Sequence, residues 1–153
     1  MALLVYRAHV RAGFNAVKAA HDDLAGEALQ PAYDGEDYAS FARQVAHDSD
    51  REQGELFRRI LTALYLAFHL ELAGYFPERS GDFFAADNED LITECLAVAM
   101  NLMSCSCNAY EVSELYKTDD PAQGGGPCTR ELGGAVYPTV SLSNHGCVAN
   151  TMR

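Results

Sequence analysis

The sequence predicts an α+β fold, a helical body followed by short strands, and three observations carry that expectation. Three stretches within residues 2–104 repeat apolar residues at intervals of three and four, the period of a helix face. Beyond Cys105 the pattern turns to polar–apolar alternation around a Pro/Gly-rich stretch, the signature of short strands and their connections. The 153 residues, 48% hydrophobic and 22% charged, suffice for one domain with a buried core.

In chain order, residues 2–24 are expected to form one amphipathic helix, with Leu3, Val10, Phe14, Val17 and Leu24 on one stripe. Arg7, Arg11 and Lys18 fall off that stripe, and His9 and His21 read as surface residues. Residues 25–37 hold Gly26, Pro31, Gly35 and several acids and read as a loop. Residues 38–46 read as a short helix making contacts through Tyr38, Phe41 and Val45. Ser49-Asp50-Arg51-Glu52 has the spacing of a capping box. A long helix should follow to about Ala73, with Gly74 placed to stop it. Leu56, Ile60, Leu64, Phe68 and Leu72 recur every fourth residue, and Phe57, Leu61 and Tyr65 widen the face. So broad a stripe predicts the central helix of the bundle.

Residues 77–86 read as a second loop, and Asp87, Glu89 and Asp90 supply acids where a helix N-terminus favours them. That helix should run through Leu91, Cys95, Val98 and Leu102 to about Ser104. Residues 107–115 read as a strand, 118–129 as a flexible loop, and 135–137 as a short strand. The Gly-rich loop lacks the Gly-Lys-Ser/Thr ending of a phosphate-binding loop.

A net charge of -11 argues against a nucleic-acid-binding surface and is compatible with a basic protein partner. Arg7 interrupts the apolar start before a signal-peptide core forms. The apolar tract 56–76 is broken by Arg58, Arg59, His69 and Glu71, so it reads as a core helix rather than a membrane span. Five cysteines and no leader predict reduced thiols inside a cell. Cys105-Ser106-Cys107 reads either as half of a zinc site or as buried structural thiols. His145 and Cys147 would share one face of an extended chain, as a thiol nucleophile and its base would, although no third orienting group is in view.

The last stretch is the most specific. Asn144-His145-Gly146-Cys147-Val148-Ala149-Asn150 resembles the Asn-His-Ser-Cys-x-Pro-Asn signature of SET-domain protein methyltransferases. Its lead-in, Gly134-Ala135-Val136-Tyr137-Pro138-Thr139-Val140-Ser141-Leu142, is similar to the version in the SET- and MYND-domain family. Glu55-Leu56-Phe57-Arg58-Arg59, before a long apolar helix, resembles that family's SET insert. Asn108-Ala109-Tyr110-Glu111-Val112-Ser113-Glu114-Leu115 is similar to the Asn-Ala-x-Glu strand of its branch with tetratricopeptide repeats.

The resemblance implies a helical region over 1–104 that includes the SET insert, and a partial C-terminal SET segment over 105–153. It implies S-adenosylmethionine as cofactor and methyl transfer to a lysine of a protein substrate, histone or non-histone. No direct nucleic-acid contact and no membrane are expected, and the location implied is cytoplasmic, nuclear or both. Asn144 and His145 would lie beside the cofactor, Asn108 would approach it, and Ser141 would share the same wall. Cys147 would be one of four thiolate ligands of a structural zinc.

Gly146 and Ala149 depart from the family's serine and proline and loosen a turn that the family keeps stiff. The family's glycine-rich cofactor motif, MYND module, later tyrosine segment and post-SET cysteines have no counterpart here. The expectation is therefore a fragment with part of the cofactor pocket, no catalytic tyrosine and little or no activity. The alternative is a non-enzymatic interaction module built on the helical insert.

Overall fold

Helix α5 (Glu89–Asn108) forms the axis against which the other elements pack. The computed structural model of the chain describes residues 1–25, 37–77, 82–117 and 127–137. Within them the order is α1 (Ala2–Ala12), α2 (Phe14–Ala25), α3 (Tyr38–Ala42), a 3-10 turn (Asp48–Asp50), α4 (Gln53–Leu72), α5, β1 (Ala109–Lys117) and β2 (Pro127–Val136). The class is α+β, with β1 and β2 forming one antiparallel pair.

The first expected helix is two helices. Gly13 adopts φ 82° and breaks the run, a left-handed conformation that glycine enters without a Cβ penalty. The break shifts the buried stripe: α1 buries Val5 and His9 while Leu3 and Val10 are exposed, and α2 buries Phe14 and Val17. Helix α3 is shorter than expected. Asp37 caps it by accepting from the Ala39 amide at 3.2 Å, Phe41 is buried, and Val45 is exposed.

Helix α4 has the expected end but starts later than expected and turns a different face inward. Ser49 lies in the 3-10 turn, and the N-cap is Glu52, with no side-chain bond. At the other end Tyr75 N donates to Leu70 O at 3.0 Å and Gly74 N to Glu71 O at 2.9 Å. With Gly74 at φ 71° this is a Schellman closure, as its position in the sequence suggests.

The broad stripe of α4 faces outward. Phe57, Ile60, Leu61, Leu64, Tyr65, Phe68 and Leu72 are 36–67% exposed. The buried face carries Ala63, Leu66, Ala67 and Leu70, and α4 packs closely with α5. Two apolar faces compete for the interior, and the alanine face lets the backbones come closer, which gains dispersion contacts along the whole length. The central helix is therefore α5.

Asn88 caps α5 by accepting from the Leu91 amide at 3.3 Å, with Glu89 and Asp90 in the first turn. Leu91 joins Phe14, Ala67, Leu70, Phe76 and Phe83 in one core cluster. Val98, Ala99, Leu102 and Cys105 join Val5, Phe41, Ala63 and Leu66 in another. The helix continues past Ser104 because Cys105 still contributes to its buried face.

Strand β2 is far longer than the expected 135–137, and residues 127–129, expected as loop, belong to it. The pairing runs from Ala109↔Val136 to Lys117↔Pro127 with an irregularity at Val112/Ser113. Val112 pairs with Gly133 and Ser113 with Glu131, so Leu132 is the extra residue of a bulge. Gly133 beside it has φ 156°. Pro127, Gly133 and Gly134 are poor strand formers, which hides this strand from a propensity reading. Of the loops expected over 25–37 and 118–129, residues 26–36 and 118–126 lie outside the described residues.

Candidate functional site

Asn108 is the expected site residue that lies among the described ones; Ser141, Asn144, His145 and Cys147 lie outside them. Asn108 ends α5, and its Nδ2 donates to Val45 O at 3.1 Å and to Ser104 O at 2.9 Å. It thus braces the segment after α3 against the last turns of α5.

Arg51 completes the same corner. Its Nε and Nη2 donate to Ala46 O at 3.0 and 2.9 Å, and Nη2 also reaches Met103 O at 3.0 Å. Ser106 Oγ and Cys107 Sγ lie 2.8 and 3.2 Å from Nη2. Arg59 donates from Nη1 to Leu102 O at 2.5 Å. Two guanidinium groups therefore sit at the C-terminal end of α5, where the helix dipole favours cations. Glu55 bridges both arginines, and the hydrogen bond from Arg59, with that from Arg51, holds its carboxyl below the usual range. His47, in the left-handed region at φ 50°, is exposed 3.8 Å from Asp50.

Cys105-Ser106-Cys107 does not make half of a zinc site. On a helix, residues two apart diverge in direction: Cys105 is fully buried, whereas Cys107 is exposed beside Arg51. Burial pushes the Cys105 thiol up to about 11, the character of a structural thiol. Among the described residues no group of three or more His, Cys, Asp or Glu is gathered as metal ligands.

The strand pairing brings the lead-in of the C-terminal motif to this corner. Ala109, next to Asn108, pairs with Val136, and the Tyr110 and Tyr137 rings are 6.4 Å apart. Ser141 follows four residues later, at most about 14 Å of extended chain.

A second cluster was not legible as a site. His9 and Glu94, both 0% exposed, meet at 2.6 Å between Nδ1 and Oε1. Asn101 Nδ2 lies 2.8 Å from His9 Nε2 and donates to Tyr38 Oη at 2.6 Å. Tyr38 Oη is itself 3.2 Å from His9 Nε2, and Tyr75 Oη donates to Glu94 Oε2 at 3.4 Å.

A ring protonated at Nδ1 satisfies these contacts: Nδ1–H donates to Glu94, and Nε2 accepts from the Asn101 amide. Asn101 Oδ1 is then buried without a partner. A doubly protonated ring closes the network the other way, the amide turning so that Oδ1 accepts from Nε2–H and from Tyr38. Burial raises the Tyr38 hydroxyl far above its ordinary value, and burial followed by the Glu94 charge does the same for Tyr75. Both therefore act as neutral hydrogen-bonding groups. His21, beside Tyr38, is lowered by burial and then by His9.

The sequence does hold a signal for this cluster. Leu91, Glu94, Val98, Asn101 and Cys105 follow a three-four repeat on α5, so Glu94 and Asn101 occupy core positions. His9 sits one turn beyond Val5 on the buried side of α1.

No family model matches the chain, and neither the curated proteins nor the solved structures contain a match to it.

Proposed function

We propose that the chain is part of a SET/MYND-type protein-lysine methyltransferase, and that residues 105–153 supply one wall of an S-adenosylmethionine pocket. What supports this reading, beside the motif of residues 144–150, is the pairing of Ala109, which follows Asn108, with Val136 in the lead-in to that motif. In this reading Asn108, Ser141, Asn144 and His145 contact the cofactor, and Cys147 is one ligand of a zinc site. Methyl transfer to an amine rests on in-line positioning rather than on a strong acid, so the lack of a paired-carboxylate motif is compatible with it. The substrate would be a lysine side chain of another protein.

A titration followed by amide NMR tests the proposal. S-adenosylmethionine added to the chain is expected to bind weakly and to shift resonances of Asn108–Tyr110 and of 137–147. Asn108→Ala, which removes the brace, should reduce those shifts. Absence of shifts at millimolar cofactor would refute the proposal.

The second reading, a non-enzymatic interaction module, is favoured by the exposed apolar stripe of α4 from Phe57 to Leu72, since contiguous apolar surface of this kind marks binding faces. It expects no cofactor-induced shifts at Asn108.

A further inference from the structure

A cleft of about 670 Å³ opens between α1, α2, α3 and the end of β2. Its polar lining is unequal in sign. Arg7 and Arg11 lie one turn apart on α1, both exposed, and among the described residues neither has a hydrogen-bond or ion-pair partner. Asp37 also lines the cleft, already accepting from the Ala39 amide. The floor is Ala8, Ala12 and Ala16, side chains too short to fill the space, and Tyr38 and Phe41 supply an aromatic wall. Tyr38 is fixed from behind, its hydroxyl held by Asn101 at 2.6 Å and His9 at 3.2 Å.

We infer that this cleft binds a small organic anion: a carboxylate or phosphate carried on a flat apolar body. Guanidinium groups at i and i+4 present two forks to one side of a ligand, and such forks match carboxylate and phosphate oxygens. The alanine floor and the aromatic wall accept the body by contact and desolvation. In a chain of net charge -11, two arginines on one turn with no ion-pair partner among the described residues form a local positive spot. The buried network then has a purpose at the surface: its hydrogen bonds to the Tyr38 hydroxyl restrain that ring at the cleft wall. The inference stands apart from the methyltransferase reading, since Asn108 does not line the cleft and Val136 is the one lining residue from the strand that leads to the motif.

Naphthalene fluorescence tests it without interference, because the chain has no Trp. The full chain is titrated with 2-naphthoate, 2-naphthyl phosphate and the neutral control 2-naphthamide. Both anions are expected to bind at least about tenfold more tightly than the amide. Arg7→Gln with Arg11→Gln should erase that preference, with unchanged circular dichroism because both side chains are exposed. Ala12→Leu, which fills the floor, should weaken the anions while leaving the arginines in place. Equal binding of the amide, anion binding unchanged in the arginine variant, or no binding of either anion at millimolar concentration would overturn the inference.

Discussion

Glu94→Ala is expected to lower folding stability by about 3 kcal/mol, the upper end of the cost of leaving buried hydrogen-bonding groups unsatisfied. The residue is fully buried, and its two oxygens take the His9 Nδ1 and Tyr75 hydroxyl hydrogen bonds. Truncation strips both donors of their acceptor where no water replaces it. Glu94→Gln keeps the length and one acceptor oxygen, so it should cost less than half as much. His9→Ala should be similarly damaging alone, yet the double variant should cost clearly less than the two single losses added together, because both delete the same interaction. Urea unfolding of the parent and the four variants measures this. A Glu94→Ala protein within about 0.5 kcal/mol of the parent, the scatter expected for surface changes, would show that the pair is not formed in the folded chain.

The second large effect belongs to Arg51. Replacing it with lysine keeps the charge but not the fork. One ammonium group cannot donate to Ala46 O, Met103 O and Glu55 together, as the guanidinium does. Arg51→Lys is therefore expected to cost about 2–3 kcal/mol, the scale of losing hydrogen bonds to a charged group. The loss should be local: amide exchange should quicken over 44–52 and the last two turns of α5, while α1 and the Leu70–Phe76 region keep their protection. Arg51→Ala should do the same to a larger degree. Uniform loss of protection across the chain, or none, would contradict the view that Arg51 positions the Asn108 corner.

Much of the helical layout is legible in the residues themselves. The length of α4 follows from its four-residue repeat, and its end from Gly74, whose left-handed φ closes a Schellman motif. The acids before Leu91 mark the start of α5. Which face of α4 turns inward is not legible, because both faces are apolar and periodicity ranks them by size. Packing ranked them by how closely they approach α5, and Ala63 and Ala67 prevailed over Phe57 and Phe68. Gly13 was equally open to misreading, since a single glycine is tolerated in many helices, and only its φ of 82° shows the break.

The same limits govern the candidate sites. Asn144, His145 and Cys147 stand out in the sequence through their density of chemistry, and they lie outside the described residues. His9 and Glu94 are 85 residues apart, and nothing local to either announces the other. What marks them is that each polar side chain takes a core position on its helix, a conflict between residue type and pattern that only a buried partner resolves. The Arg7–Arg11 cleft needed the packing of α1, α2 and α3 before its residues met.

Ultraviolet cross-linking with methyl-labelled S-adenosylmethionine, followed by tryptic mapping, tests the proposed function most directly. Cleavage after Arg79, Lys117 and Arg130 separates peptides 80–117 and 131–153, which hold Asn108 and the C-terminal motif respectively. The expected result is label on both peptides, undiminished by Arg7→Gln with Arg11→Gln. Label confined to the α1–α2 peptides, or no label at saturating cofactor, would contradict a cofactor wall built from Asn108 and residues 141–147.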